Sequence, residues 1–402
     1  MNIILFDDKR WQHLLPLTFT KPVAGIRIGI DTIAEKWNSS VNGTYSFLAE
    51  PYLQGKFPVR YGDDNLYIYG GLIPDAQIIA AITSLKTNDV LISGEDILAV
   101  RSSERYFSGM SLNEHAAGLN KMHYKGSCIC ISRPYHIFQH NDAVLRADFA
   151  RLTAGKKSAA IPAGNTIIGD NIFIEEGAVI HASIINTTTG PVYIGKDAEI
   201  MEGSMIRGPF ALGEHSVVKM GAKIYGATTI GPWCKVGGEI NNSVFMAYSN
   251  KAHDGFVGNS VIGEWCNLGA DSNCSNLKNT YAEVKLWDYS LQKFASTGLQ
   301  FCGLIMGDHS KCGINTMFNT GTVVGVHANI FGDGFPRNFI PSFSWGGAAG
   351  FVTYKLKDAL TTTKTVMSRR ELNLSSEDIK ILTTIYELSE KYRKGQLIFL
   401  HK

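Results

Sequence analysis

The sequence predicts an α/β N-terminal domain, then a left-handed parallel β-helix, then a short C-terminal helical tail. Three observations carry this: an aliphatic period of six residues from about Ile168 to Ile330, glycines that repeatedly follow it, and a first 150 residues without that rhythm. The period runs through Ile168, Ile174 and Ile180, then Ile194, Ile200, Ile206, Leu212, Val218, Ile224, Ile230 and Val236, and later Ile262 and Leu268. Six is neither the two of a half-buried strand nor the 3.6 of a helix. It fits short strands meeting at turns, three hexads to a coil, with the aliphatic residues stacked inside.

The rhythm resumes at Met306, Cys312, Phe318, Val324 and Ile330, so the prism spans both sides of an insertion at 279–301. A break of that length must leave the prism, since its backbone would otherwise lose stacked partners. Its bulky Trp287 and Tyr289 need cover. They are expected to pack on a neighbouring subunit or arch over the site with Lys285 at its mouth; the alternative is a loop that folds back on its own coil.

Before the prism, Asn2–Phe6, Leu66–Tyr69 and Val90–Ile92 read as strands around turns at Gly70-Gly71 and Gly94-Glu95. Gly29–Trp37 reads as a helix, Ala76–Leu85 as one capped by Pro74-Asp75, and Leu145–Gly155 as a further helical stretch. After Gly350, Ser375 with Asp378 gives a capping pattern, and Ile379, Leu382, Ile385, Tyr386 and Leu388 an apolar face. The tail should pack on the prism or on a neighbour. The expected domains are 1–155, 156–350 with its insertion, and 351–402.

A chain of 402 residues with 45% hydrophobic content can bury a full core, and a formal charge of +2 argues against nucleic acid as a partner. No apolar run reaches transmembrane length, and Ile3 to Phe6 is too short for a signal segment, so a cytoplasmic protein is expected. The seven cysteines lack Cys-x-x-Cys spacing and read as free thiols, with Cys312 an inward filler. His309 and His327 lie eighteen apart, one coil, and should stack. A zinc site there would need a third ligand close by, and no third histidine lies a few residues away.

The hexads, the motif Lys251-Ala252-His253-Asp254-Gly255-Phe256-Val257-Gly258 and the run Asn267-Leu268-Gly269-Ala270 resemble the acetyltransferase half of the bifunctional bacterial family that makes UDP-N-acetylglucosamine. The opening Leu5-Phe6-Asp7-Asp8, Pro16-Leu17-Thr18, Lys21-Pro22, Arg27-Ile28-Gly29 and Glu35-Lys36-Trp37 resembles the divergent form of that fusion known from Bacteroidetes-type bacteria. The resemblance implies acetyl-CoA as donor, an amino-sugar phosphate or nucleotide-linked amino sugar as acceptor, and a homotrimer with sites in the grooves between subunits.

An amine attacking a thioester must lose a proton, and a neutral imidazole is a natural base for it. His253, in a stretch that breaks the hexad run, is the candidate. On the sugar side the family's lysine twelve positions before the base is Asn241 here, flanked by Glu239 and Asn242. Asn and Glu read hydroxyls and amines but cannot neutralise a phosphate. Lys223 falls on the family's phosphate-contacting arginine, and Phe256 replaces a tyrosine, keeping the ring without its O–H. On the donor side the resemblance assigns Asn267 to the acyl site, Asn276 to the thioester or pantetheine, and Lys285 to the CoA phosphates. Gly269 and Ala270 leave room for an extended arm. Cys274 has no adjacent base in sequence to make it a nucleophile.

For the N-terminal domain the resemblance implies a sugar 1-phosphate joined to a nucleotide, from UTP or another nucleoside triphosphate with Mg²⁺. Where that family opens with a Gly-rich phosphate cradle, this chain reads Leu5-Phe6-Asp7-Asp8-Lys9-Arg10. Arg10, Lys21, Arg27 and Lys36 are the cations at hand for a nucleotide. Two alternatives stay open: an acyltransferase with an inactive N-terminal sugar- or nucleotide-binding domain, and a non-enzymatic trimeric scaffold.

Overall fold

The computed structural model describes residues 1–106 and 108–397, so the last five residues of the predicted tail lie outside the described residues. The chain forms two compact units: Met1–Ile26, Asp31–Arg133 and Ser376–Ile381 make the first, and Arg27–Ile30, Pro134–Ser375 and Leu382 onward the second.

The first unit is built on a mixed six-stranded sheet of β1 (Asn2–Phe6), β2 (Thr44–Leu48), β3 (Asn65–Tyr69), β4 (Asp89–Ser93), β5 (Asp96–Ser102) and β6 (Asn120–His123), in the order β2-β1-β3-β5-β4-β6. β1 pairs in parallel with β2 and β3, and β5 runs antiparallel to both its neighbours. Strand β1 is buried from Ile3 to Phe6, as its uninterrupted apolar run requires of a central strand. Helices α1 (Ile33–Ser40), α2 (Ala76–Thr83) and α3 (Gly109–Ala116) complete this unit.

Helix α1 begins four residues later than the sequence suggests. Thr32 and Glu35 form a reciprocal capping box that sets the start. Arg27–Ile30 is instead drawn into the second unit. There the Gly29 N–H donates to Asn141 Oδ1 and the Ile30 N–H to Asp148 Oδ2, each at 2.8 Å. Gly29 has φ +67°, and a Cβ there would come within 2.4 Å of the Asp148 carboxylate, so glycine is required. Both partners stand on α4 (Pro134–Thr153), which is longer than the predicted Leu145–Gly155 stretch.

The rest of the second unit is the left-handed β-helix, a three-faced prism. Its first face has eight strands from Thr166–Ile168 to Met317–Phe318, the second nine from Ile172–Ile174 to Phe339–Ile340, and the third ten from Val179–Ile180 to Gly350–Thr353. Coil stacks on coil in parallel register, for example Ile185 on Ile206, Ile194 on Leu212 and Val218 on Val236. The hexad residues fill one continuous core that includes Cys234, Cys266, Cys274 and Cys312. Burial stabilises by roughly 1.5–3 kcal/mol for each fully enclosed aliphatic side chain. Helices α5 (Leu356–Ser368), α6 (Ser376–Leu388) and α7 (Glu390–Leu397) follow the prism.

Candidate active site

The corner between the second and third faces carries a column of rings: His215, Trp233, Tyr248, Trp265, His309, His327 and Phe343, one per coil. All seven hold φ between 54° and 62°, a conformation that costs a side chain with a Cβ about 1–2 kcal/mol. Stacking and hydrogen bonding offset that cost. Each ring residue donates its N–H to the carbonyl just before the corner of the preceding coil, as Trp233 does to Glu214 and Tyr248 to Pro232, both at 2.9 Å. His309 and His327 stack at 4.9 Å, as their spacing predicts. Burial, with His309 and Lys311 adding to it, pushes the pKa of His327 well below the usual imidazole value, and its Nε2 pairs with Thr363 Oγ1 of α5 at 2.7 Å.

Helix α5 runs along this column. Beyond its end, Arg370 Nη2 donates to the Trp233 carbonyl at 3.2 Å, with the guanidinium 6.0 Å from the indole. Between α5 and the third face lies a cleft of about 450 Å³. Tyr248 and Trp265 line the column side; Ala252, His253, Gly269, Ala270 and Ile314 line the opposite corner. The outward side chains Lys235, Asn250 and Asn267 stand in register between them. Val366, Arg369 and Arg370 close it from the helix side. Burial lowers the pKa of Lys235, and Arg370, Lys219 and Arg369 lower it further, so the cleft is a cationic environment. Asn250 Oδ1 is buried there with no hydrogen-bond partner among the described residues, a demand that a ligand N–H or O–H would meet.

The structure thus brings His253, Asn267, Gly269 and Ala270 into one cleft. Cys274 is not in it: the thiol is enclosed in the prism core, and burial raises its pKa to about 12. His253 sits exposed in the 252–255 turn, which passes from the third face to the first. The predicted sugar-side residues lie beyond that turn, on the first face. Lys223, Glu239 and Phe256 form one outward column, and Asn241 the next, beside Tyr225. Tyr225 donates its O–H to Glu239 Oε1 at 2.6 Å and holds that carboxylate in place. Asn242 follows at the corner with φ 43°. Asn276 also lies outside the cleft, with its Nδ2 on Asn259 Oδ1 at 2.8 Å.

The insertion forms a hairpin, Lys285–Asp288 against Lys293–Ser296. It does not arch over the cleft. Trp287 stacks on Phe339 at 4.2 Å, and Tyr289 meets the edges of Phe339 and Tyr392, so a later coil and α7 supply the cover its rings need. Within the chain this follows the alternative reading, a loop that folds back, with the cover coming from a later coil and α7. Lys285 stands exposed on the hairpin, apart from the cleft residues.

In the first unit, Asp7 and Asp8 follow β1, Gly70-Gly71 follow β3, and Glu50 follows β2, all at carboxyl ends of parallel strands where open α/β sheets bind ligands. Asp7 accepts from the Val23 N–H at 3.1 Å. Burial still raises its pKa well above the carboxylate range, with Glu50 and Asp8 adding to the rise. Arg10 forms a buried pair with Asp8 at 2.7 Å, its guanidinium 3.4 Å from the Tyr69 ring centre. Lys21 and Lys36 are both buried, the latter donating to the Asp31 carbonyl at 3.0 Å. Arg27 lies in the other unit, where its Nε donates to the Met246 carbonyl at 3.0 Å. Among the described residues, no group of three or more His, Cys, Asp or Glu is placed to hold a metal ion, and no helix is long and apolar enough to cross a membrane.

The sequence reading placed Tyr248 in the stretch at the cleft rim and passed over Lys235, Trp265, Arg369 and Arg370 as cleft residues. An aromatic residue recurring at one hexad corner, and a dibasic pair ending an amphipathic helix, were the signals available for them.

The chain therefore joins an α/β unit with a carboxyl-end acidic loop to a hexapeptide-repeat prism with a cationic cleft. Residues 3–157 match the family model described as sugar nucleotidyl transferase. No curated protein matches the chain. Among solved structures, a UDP-N-acetylglucosamine acyltransferase from Bacteroides fragilis is 14% identical, with 56% of this chain and 96% of that one covered and a TM-score of 0.27. The corresponding acyltransferase of Arabidopsis is 15% identical over 53% of this chain and 78% of its own, with a TM-score of 0.22. An N-acyltransferase from Bacillus cereus, in complex with dTDP-4-amino-4,6-dideoxyglucose and coenzyme A, is 14% identical over 51% and 92%, with a TM-score of 0.23.

Proposed function

We propose that the chain is an acetyl-CoA-dependent N-acetyltransferase acting on an amino-sugar phosphate or a nucleotide-linked amino sugar, carried beside a sugar-1-phosphate nucleotidyltransferase-like domain. The observation that carries this reading is the cleft itself, in which His253, Asn267, Gly269 and Ala270 share the prism wall with Lys235, and Arg369 and Arg370 line the helix side. Lys235, Arg369 and Arg370 suit the phosphates of coenzyme A, and Asn250 Oδ1 suits an amide N–H of its arm. The coenzyme supplies the acetyl thioester. His253 then takes the proton of the attacking amine, and the Asn267 amide steadies the developing oxyanion.

His253 stands at the edge shared by the two faces, with donor-side residues on the third and Lys223, Glu239, Asn241 and Phe256 on the first. That placement suits a base that must reach an acceptor amine and a donor thioester at once. The test is release of free coenzyme A from acetyl-CoA by the purified full-length protein, with glucosamine 1-phosphate and nucleotide-linked amino sugars offered in turn. Absence of release with every amino sugar would refute the reading.

For the N-terminal unit a second reading, a domain with the fold and no transfer activity, is favoured by Arg10. Its guanidinium is already committed to Asp8 and Tyr69. Pyrophosphate release from UTP and Mg²⁺ with sugar 1-phosphates decides between the two.

A further inference from the structure

Along the third face the inward side chains run Ile180, Ile200, Val218, Val236, Lys251, Leu268, Cys312 and Ile330. Seven of these are apolar fillers, and the eighth is a lysine that is 1% exposed. An ammonium group taken out of water into such a column is costly unless something inside accepts its hydrogen bonds. Lys251 Nζ donates to the His253 carbonyl and, at 2.8 Å, to the Asp254 carbonyl. Neither carbonyl takes a backbone N–H among the described residues, so the lysine satisfies both. Asp254, Asp271 and Cys312 act on it through space and favour its charge; burial acts more strongly and brings its pKa down to about 8.

The turn that Lys251 holds is also tied at its far end, where the Phe256 N–H donates to Asn273 Oδ1 at 2.9 Å. The Gly255 carbonyl accepts from the Glu239 N–H at 3.1 Å, and Gly255, at φ 107°, lies against the Ser272 backbone of the next coil. Within residues 252–255 no side-chain hydrogen bond besides those of Lys251 is found among the described residues. The exposed imidazole therefore takes its position from a turn whose two central carbonyls are tethered from inside.

We propose that Lys251 is a positioning residue that fixes the His253 turn from within the prism and so sets the imidazole at the edge of the cleft. The proposal rests on the reading of His253 as the base, and its test separates the two. Lys251→Met keeps an unbranched stem in an apolar column and removes the ammonium; Lys251→Gln keeps one donor. In the full-length Met variant, exchange of the Phe256 amide, which donates to Asn273 Oδ1, and of the Glu239 amide, which donates to the Gly255 carbonyl, should quicken by about tenfold or more while the ring column keeps its protection. The rate at which diethylpyrocarbonate modifies His253, followed by peptide mass spectrometry from pH 5 to 8, should change with it. Turnover should fall about tenfold with the KM for acetyl-CoA within about twofold, the pattern of a displaced base and not of lost binding. The Gln variant should recover part of each, and it carries the same measurements if the Met variant does not fold. Unchanged exchange and unchanged His253 reactivity in either folded variant would overturn the proposal. If exchange and reactivity shift while the wild-type protein turns over no amino sugar, positioning stands and the acetyltransferase reading falls.

Discussion

Tyr248 and Trp265 lie ring on ring, their centroids 4.2 Å apart and their planes within 3° of parallel, although seventeen positions separate them in sequence. The coil between them is one residue shorter than the eighteen that separate His309 from His327, and the corner still closes. Stacked in this way, the two rings turn their edges, not their faces, to the cleft that Arg369 and Arg370 also line. Two guanidiniums beside that edge fit a ligand with an anionic group.

Arg369→Ala and Arg370→Ala should each weaken coenzyme A binding by about tenfold or more, since hydrogen bonds to charged groups contribute roughly 1.5–3 kcal/mol. The salt dependence of binding should become shallower in both. Calorimetry against coenzyme A and its dephospho form measures this. Equal affinity in wild type and both variants would remove the phosphates from this end of the cleft.

Replacing His253 by Ala should slow acetyl transfer by roughly 10²-fold or more and leave coenzyme A affinity within about twofold, the usual scale of a lost general base. Steady-state kinetics on the accepted amino sugar, paired with a binding titration, reads both. A variant that keeps its rate would move the base to another residue.

Stability should pass through a maximum near pH 9. Burial lowers Lys251 and Lys311 from 10.5 to about 8, so between those values the unfolded chain binds more protons than the folded one, and stability rises with pH. The cysteines work the other way. Burial raises Cys234 and Cys274 from 9.0 to about 12 and also raises Cys266, Cys302 and Cys312, so above pH 9 the unfolded thiols ionise first and stability falls. Each group shifts stability by at most about 1.4 kcal/mol per pH unit, and five thiols outnumber two lysines. Thermal melts from pH 7 to 11 under reducing conditions test the shape, and Lys251→Met should flatten the rising limb. A melting temperature that falls steadily from pH 7.5 would contradict it.

Sedimentation should give a trimer at micromolar concentration. The first face exposes Ile184 and Met205 in one outward column, each 46% accessible, and the same column ends at Met317. Met205→Glu should shift the protein toward monomer without lowering the melting of the prism core. A stable wild-type monomer would end the trimeric expectation.

The prism was legible because its period is local: each hexad residue meets its counterpart one coil away, and the sequence displays that spacing directly. Half the cleft was legible for the same reason, since His253, Asn267, Gly269 and Ala270 interrupt or decorate the hexads. The other half came from afar. Arg369 and Arg370 reach the cleft only because Thr363 fits His327 and Arg370 fits Trp233, pairings between distant stretches that no period announces. Lys251 left no mark of this kind, because it stands fifteen residues after Val236 and seventeen before Leu268, off the six-residue count. Arg27 was misleading in the other direction, because Asn141 and Asp148 draw its neighbours Gly29 and Ile30 out of the helix their composition suggests. Trp287 and Tyr289 needed cover as expected, and what could not be read was that Phe339 and Tyr392 of the same chain provide it.

A solenoid can lengthen by copying a coil, because each coil touches only its neighbours. This one is clamped. Helix α5 grips the prism at His327 and, past its last turn, at Trp233, and a helix has a fixed rise per residue. Copy a coil between those two rings and both grips cannot close together; copy one ahead of His215 and neither notices. Duplication in the gene therefore cannot add a coil between Trp233 and His327, and the span beneath α5 keeps its count, measured out by one helix.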